Sequence, residues 1–270
     1  MQTNYLEKSQ TKKYLLFSLL GIGFIMLVAN LAGQDVATLA SSSFYVTVPG
    51  ALAVLSITIA ARFNVKGEHG RAWILFVGLA ASWFIAEQIW IVYELVYQID
   101  PFPSMADIFY LLGYPFLFLF SIYYLKPLKD AISKKTMAYV SLAAITLLIP
   151  SLYMAYDTDS EISAFELTLA LSYPIVDAIV LIPALIGVIL FFRGEVNFLW
   201  SLVCVAIVLN VVADTGFLIT SMDDSYYTGH PIDILYLWAY VLFSFGVYSH
   251  IQIFKKHKPN IKSQSLEDLR

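Results

Sequence analysis

The chain has 270 residues, of which 59% are apolar and only 13% charged, with a mean hydropathy of +0.73 and a formal net charge of −4. A soluble globular domain is about half apolar and about a quarter charged, so this balance excludes a soluble enzyme, a disulfide scaffold and a disordered chain. The acidic pI near 5.5 argues against nucleic acid as a partner, and Cys204, the single cysteine, has no intrachain partner.

Eight apolar segments are each long enough to cross about 30 Å of hydrocarbon as a helix rising about 1.5 Å per residue. The first, 13–33, follows Lys12 and Lys13 and precedes a small-residue stretch at 37–40, which gives it the outline of a signal peptide. Its apolar run exceeds a signal core, so it reads as a retained helix. The second and third are 44–61 and 72–97. The fourth, 105–125, opens on Ser104-Met105-Ala106-Asp107, an S-x-x-D pattern at a helix N-terminus. The fifth is 136–156. The sixth, 165–192, contains Pro174 and Pro183 and predicts a kink or a later start. The seventh is 198–220. The eighth, 231–254, has Pro231 at its first helical position. The fold class is therefore an all-α integral membrane protein, a single transmembrane domain over 1–254 with a basic tail at 255–270.

Charge sets the orientation. All sixteen Lys and Arg residues fall in the N-terminus, the second-to-third, fourth-to-fifth and sixth-to-seventh connections, and the C-terminal end. These lie on one side of an eight-span chain, so the positive-inside rule predicts both termini in the cytoplasm, as for a multi-pass cell-membrane protein. Glu7, Glu68, Asp130, Glu195, Glu267 and Asp268 share that side, and the other fourteen of the twenty acids lie in outer loops or outer helix halves.

An internal repeat crosses this plan. Asp107-Ile108-Phe109-Tyr110-Leu111-Leu112-Gly113-Tyr114 stands against Asp233-Ile234-Leu235-Tyr236-Leu237-Trp238-Ala239-Tyr240. Ala86-Glu87 stands against Ala213-Asp214, and Pro49 against Pro174, at nearly the same offset. Two four-helix halves, about 13–125 and 136–254, are predicted. Four spans return the chain to its starting side, so the halves are parallel repeats about an axis along the membrane normal.

The run Pro103-Ser104-Met105-Ala106-Asp107-Ile108-Phe109-Tyr110-Leu111-Leu112-Gly113-Tyr114-Pro115 resembles a stretch of the eight-helix membrane sensor modules found N-terminal to bacterial GGDEF diguanylate cyclases and histidine kinases. Ser172-Tyr173-Pro174-Ile175-Val176-Asp177 and the stretch from Asp233 to Tyr240 are similar to the second half of that module. The resemblance covers most of the chain and implies a sensory or ligand-binding role. Only a short Lys-rich tail follows Phe254, so signalling would pass through a cytoplasmic or membrane partner.

Four acids stand out as candidate ligand-binding residues: Glu87, Asp107, Asp214 and Asp233. Asp107 and Asp233 each begin a span, where capping and the helix dipole suit an acid without any ligand. Glu87 and Asp214 lie inside spans at matching places of the repeats. An ionised carboxylate costs several kcal/mol in hydrocarbon and normally faces the bundle interior. No basic residue shares their side, which leaves protonation, hydrogen bonds, a His partner such as His230, or a bound cation. Asn210 lies one turn before Asp214; Glu94 reads as a solvated helix end, and Asp177 as either a helix-start or a core-lining acid. Tyr110 and Tyr114, and Tyr236 and Tyr240, follow Asp107 and Asp233 at three and seven residues, near the acid-bearing faces. Carboxylates with phenols suit a cation, an amine or a hydrogen-bonded polar ligand.

No phosphate loop, nucleophile elbow, zinc motif or Cys/His cluster appears, and the sequence leaves any cofactor or metal unidentified. The expected function is a non-enzymatic membrane sensor or binding module with an outward-facing acidic, Tyr-lined pocket. Alternatives are a lysoplasmalogenase-like membrane enzyme using Glu87 and Asp214 as acid and base, and a cation or proton transporter.

Overall fold

The computed structural model describes residues 2–63, 67–156, 163–191 and 197–256. All regular structure among them is helical. Eight long helices follow one another: α1 Gln2–Ala32, α2 Gln34–Ala60, α3 Glu68–Ile91, α4 Met105–Leu125, α5 Lys134–Tyr156, α6 Ala164–Leu190, α7 Asn197–Met222 and α8 Asp233–Lys256. A π-helical turn, Val92–Tyr97, extends α3, and a 3₁₀ turn, Lys126–Ala131, extends α4. All eight are long and apolar enough to cross a bilayer, which is the build of a multi-pass membrane protein. Beyond Lys256 the basic tail lies outside the described residues.

The structure moves several boundaries. α2 begins at Gln34, ten residues before the expected start, and only Gly33 (φ 124°) separates it from α1. The intervening Ser and Thr residues look like loop. They are helical because other elements supply their partners: Thr38 donates to the Thr228 carbonyl at 2.7 Å and Ser41 to Asp233 at 3.3 Å. α6 runs from Ala164 through buried Pro174 and Pro183 as one helix, so the later start does not follow from those prolines. α8 begins at Asp233 rather than Pro231; Pro231 sits in the turn before it.

The helices pack in sequence, α1 on α2 through to α3 on α4, and α5 on α6 through to α7 on α8. Three pairings join these sets, of which α2 on α8 and α4 on α6 occupy equivalent places in the two halves. α1 also packs on α8, whereas α5 packs on α7. Lipid tails are as apolar as leucine, so helices associate in membranes through close packing and hydrogen bonds rather than hydrophobic gain. Both are present. Gly113 on α4 and Gly187 on α6 let the Trp83 and Trp200 indoles approach those helices closely. Trp73, Phe76, Phe120, Trp200 and Phe243 are fully buried and fill the half of the bundle nearer the chain termini. The other half, where α3 meets α4 and α7 meets α8, holds the buried acids.

Candidate functional site: an aromatic cavity with three carboxyl groups

Helical periodicity builds the site. On α3, Trp83, Glu87 and Trp90 fall at i, i+4 and i+7, one face of the helix. On α7, Asn210, Asp214 and Phe217 have the same spacing. α4 contributes Asp107, Tyr110 and Tyr114, and α8 contributes Tyr236 and Tyr240. Together with Tyr45 of α2, Tyr173 of α6, and Phe102 and Tyr226 from the connections, these side chains line a cavity of about 90 Å³. Among the described residues no basic side chain lines it.

Each buried acid is held by phenols. Tyr240 donates to Glu87 Oε1 at 2.7 Å, and Tyr110 stands beside the same carboxyl. Tyr236 donates to Asp214 Oδ1 at 2.5 Å and Tyr114 to Asp214 Oδ2 at 3.3 Å. Each of these two acids is thus flanked by one phenol from α4 and one from α8. Asp107 closes a capping box with Ser104, accepting from its backbone N–H at 2.7 Å, while Tyr173 donates to the other oxygen at 2.5 Å. Glu87, Asp107 and Asp214 are each under 9% exposed, so a charge on any of them is little screened by water.

Seven of the eight sequence-predicted ligand-binding residues, all except Asp233, line this cavity. Asp233 sits one hydrogen bond behind it. Its Oδ1 accepts from Tyr226 at 3.1 Å, and its Oδ2 accepts from the Gly229 N–H at 2.8 Å and from Ser41. Pro231 lies in the preceding turn, and Asp233, the first residue of α8, ties down the α7–α8 connection from the helix start. Burial, and then the adjacent Asp233 carboxyl, push the Tyr226 phenol well above its usual value, so it stays a donor. Burial lowers the imidazole of His230 in the same connection, and its Nδ1 accepts from the Ile232 N–H at 3.2 Å. Glu94 is not simply solvated: Thr228 donates to it at 3.0 Å while accepting from the Trp90 indole at 3.0 Å.

Sequence reasoning did not find Tyr45, Tyr173, Phe102 or Tyr226, which have no counterpart in the repeat register. It left Asp177 undecided. In the structure Asp177 is fully buried on α6, with the Tyr114 phenol and the Asp214 carboxyl beside it. Neither of its oxygens has a well-formed hydrogen bond among the described residues.

A second, wider hollow of about 830 Å³ lies beyond the cavity, lined among others by Glu94, Asp100, Glu166 and Asp224. The two share Phe102, Phe217 and Tyr226. These rings meet edge to face, Phe102 on Phe217 at 5.2 Å and Phe217 on Tyr226 at 4.7 Å between centroids. An acidic vestibule therefore adjoins the cavity across an aromatic septum. Carboxyl oxygens among ring faces, with no competing cation, can hold a small organic cation through charge-assisted hydrogen bonds and cation–π contact. No group of three or more His, Cys, Asp or Glu among the described residues is arranged to hold a metal ion. Comparison with protein-family models, with curated proteins and with solved structures finds no match.

Proposed function

We propose that this chain is a membrane-embedded binding module that takes a small ammonium ion from the outer side and acts through a partner. The observation that carries this reading is the convergence of Glu87, Asp107 and Asp214 on one aromatic-walled cavity with no basic side chain among the described residues. The acidic vestibule concentrates cations in front of the aromatic septum. The fully buried rings of Trp73, Phe76, Phe120, Trp200 and Phe243 in the opposite half favour binding over transport, because bulky aromatic side chains occupy the space beyond the cavity. The sensory role itself rests on the resemblance to sensor modules.

The orientation and the repeat belong to the same reading. Both termini are cytoplasmic by the distribution of Lys and Arg. Two parallel repeats are supported by the equivalent helix pairings, by the matching faces of α3 and α7, and by the crossed phenols. Tyr110 and Tyr236 serve the acid of their own half, and Tyr114 and Tyr240 serve the acid of the other half.

Thermal unfolding of the full chain in detergent, with methylammonium and tetramethylammonium chloride against equal sodium chloride, tests the binding. At one hundred times its dissociation constant a ligand adds about 2.7 kcal/mol of stability. Glu87→Gln and Asp214→Asn should fold and lose this stabilisation. If wild type shows none with either salt, or both variants keep it, the cavity is structural and the reading fails. Reporter fusions after residues 100 and 270 test the topology: opposite sides are expected, and matching sides refute it.

A further inference from the structure

We infer that Asp177 and Asp214 share one proton, and that this proton is released when an organic cation occupies the cavity. Asp177 is fully buried, its oxygens lack a well-formed hydrogen bond among the described residues, and it faces the Asp214 carboxyl. Two ionised carboxylates in contact in a water-poor interior repel strongly, and two carboxyl groups bond each other only when one carries a proton.

The surrounding helices provide no alternative to that proton. α4 presents Tyr114, whose phenol reaches Asp214. α8 presents Tyr236, bonded to the other Asp214 oxygen. α7 presents Asn210 one turn from Asp214, and α6 itself presents Tyr173, which is bonded to Asp107. α5 turns Tyr139 and Tyr153 outward, where both are exposed. All of these groups are neutral, so among the described residues the pair has no charged partner.

Asp214 belongs to both arrangements, since it faces Asp177 and also lines the cavity. An ammonium ion beside it stabilises its ionised form and that of Asp177. One proton then leaves to water as one organic cation arrives, and the total charge of the site is unchanged. The pair is thereby a proton site linked to ligand occupancy. The exchange rests on the amine-binding reading of the cavity, whereas the shared proton stands without it.

Infrared difference spectroscopy on the full chain in lipid nanodiscs at neutral pH tests both parts. In sodium chloride the wild type should show the C=O stretch of a buried, protonated carboxylic acid. Asp177→Asn should lose that component, and Asp214→Asn, the second variant should the first not fold, should lose it too. Perfusion with methylammonium or tetramethylammonium chloride should remove the same component from wild type. A wild type without the band, or a band that survives in both variants, overturns the shared proton. A band that persists while the salt raises the melting temperature overturns the exchange and leaves the cavity reading standing. If neither salt raises the melting temperature, the cavity reading falls, and the exchange with it.

Discussion

Gly113→Ala separates two opposing effects. In an isolated helix the change is favourable by about 1 kcal/mol, because alanine loses less backbone freedom than glycine. Here the added Cβ would lie 2.1 Å from Trp83 Nε1 and 2.5 Å from Cδ1. The indole must move, which breaks its hydrogen bond to the Tyr110 carbonyl at 3.0 Å. Overpacking costs about 1–3 kcal/mol, and a buried N–H left without its acceptor costs about 1–3 kcal/mol more. The costs exceed the gain, and a net loss of about 1–5 kcal/mol is expected. Trp83 also forms a cavity wall and contacts Tyr114 and Tyr240, so any ammonium-dependent stabilisation should fall with it. Reversible unfolding in mixed detergent micelles measures the change. Gly21→Ala is the control, since nothing lies within 4 Å of its added Cβ. It should be neutral or stabilising by up to about 1 kcal/mol. In a Trp83→Leu background the penalty at position 113 should shrink or vanish. A Gly113→Ala protein as stable as wild type would show that Trp83 does not lie against α4 as described.

The connection before α8 gives a second steric test. Gly229 has φ 94°, and an added Cβ would meet the Ala37 carbonyl at 2.5 Å, so Gly229→Ala should destabilise by about 3 kcal/mol or more in the same assay. Tyr240→Phe keeps the ring against Tyr45 and Trp83 but removes the donor to Glu87. Hydrogen bonds between membrane helices are worth about 0.6 kcal/mol on average and at most about 1.7. A loss in that range is expected, and no change would mean that Glu87 does not depend on this phenol. Burial holds the His230 imidazole below its ordinary value of about 6.5, so between the folded value and 6.5 the unfolded chain binds a proton that the folded chain does not. Stability from this site is full above that window and declines as pH falls through it. The stability difference between wild type and His230→Gln should carry this slope, and a difference independent of pH would refute it.

The sequence determined the number of helices and the faces they present. In hydrocarbon every backbone N–H and C=O must be satisfied within the segment, so an apolar run of sufficient length is helical for local reasons. Spacing alone then puts Trp83, Glu87 and Trp90 on one stripe, and Tyr236 and Tyr240 on another. Tertiary structure decided which partners those stripes meet. Asp107 and Asp233 read alike in the sequence, yet Asp107 lines the cavity while Asp233 is turned into its own connection by Gly229, Ser41 and Tyr226. Ser41 read as loop and is a helical donor to a residue 192 positions away. Asp177 could not be placed until α6 was packed against α4 and α7, with Tyr114 and Asp214 beside it. A helix fixes which residues share a face within a few turns of chain. The partner of a buried carboxyl lies on another helix, and close packing between helices selects it.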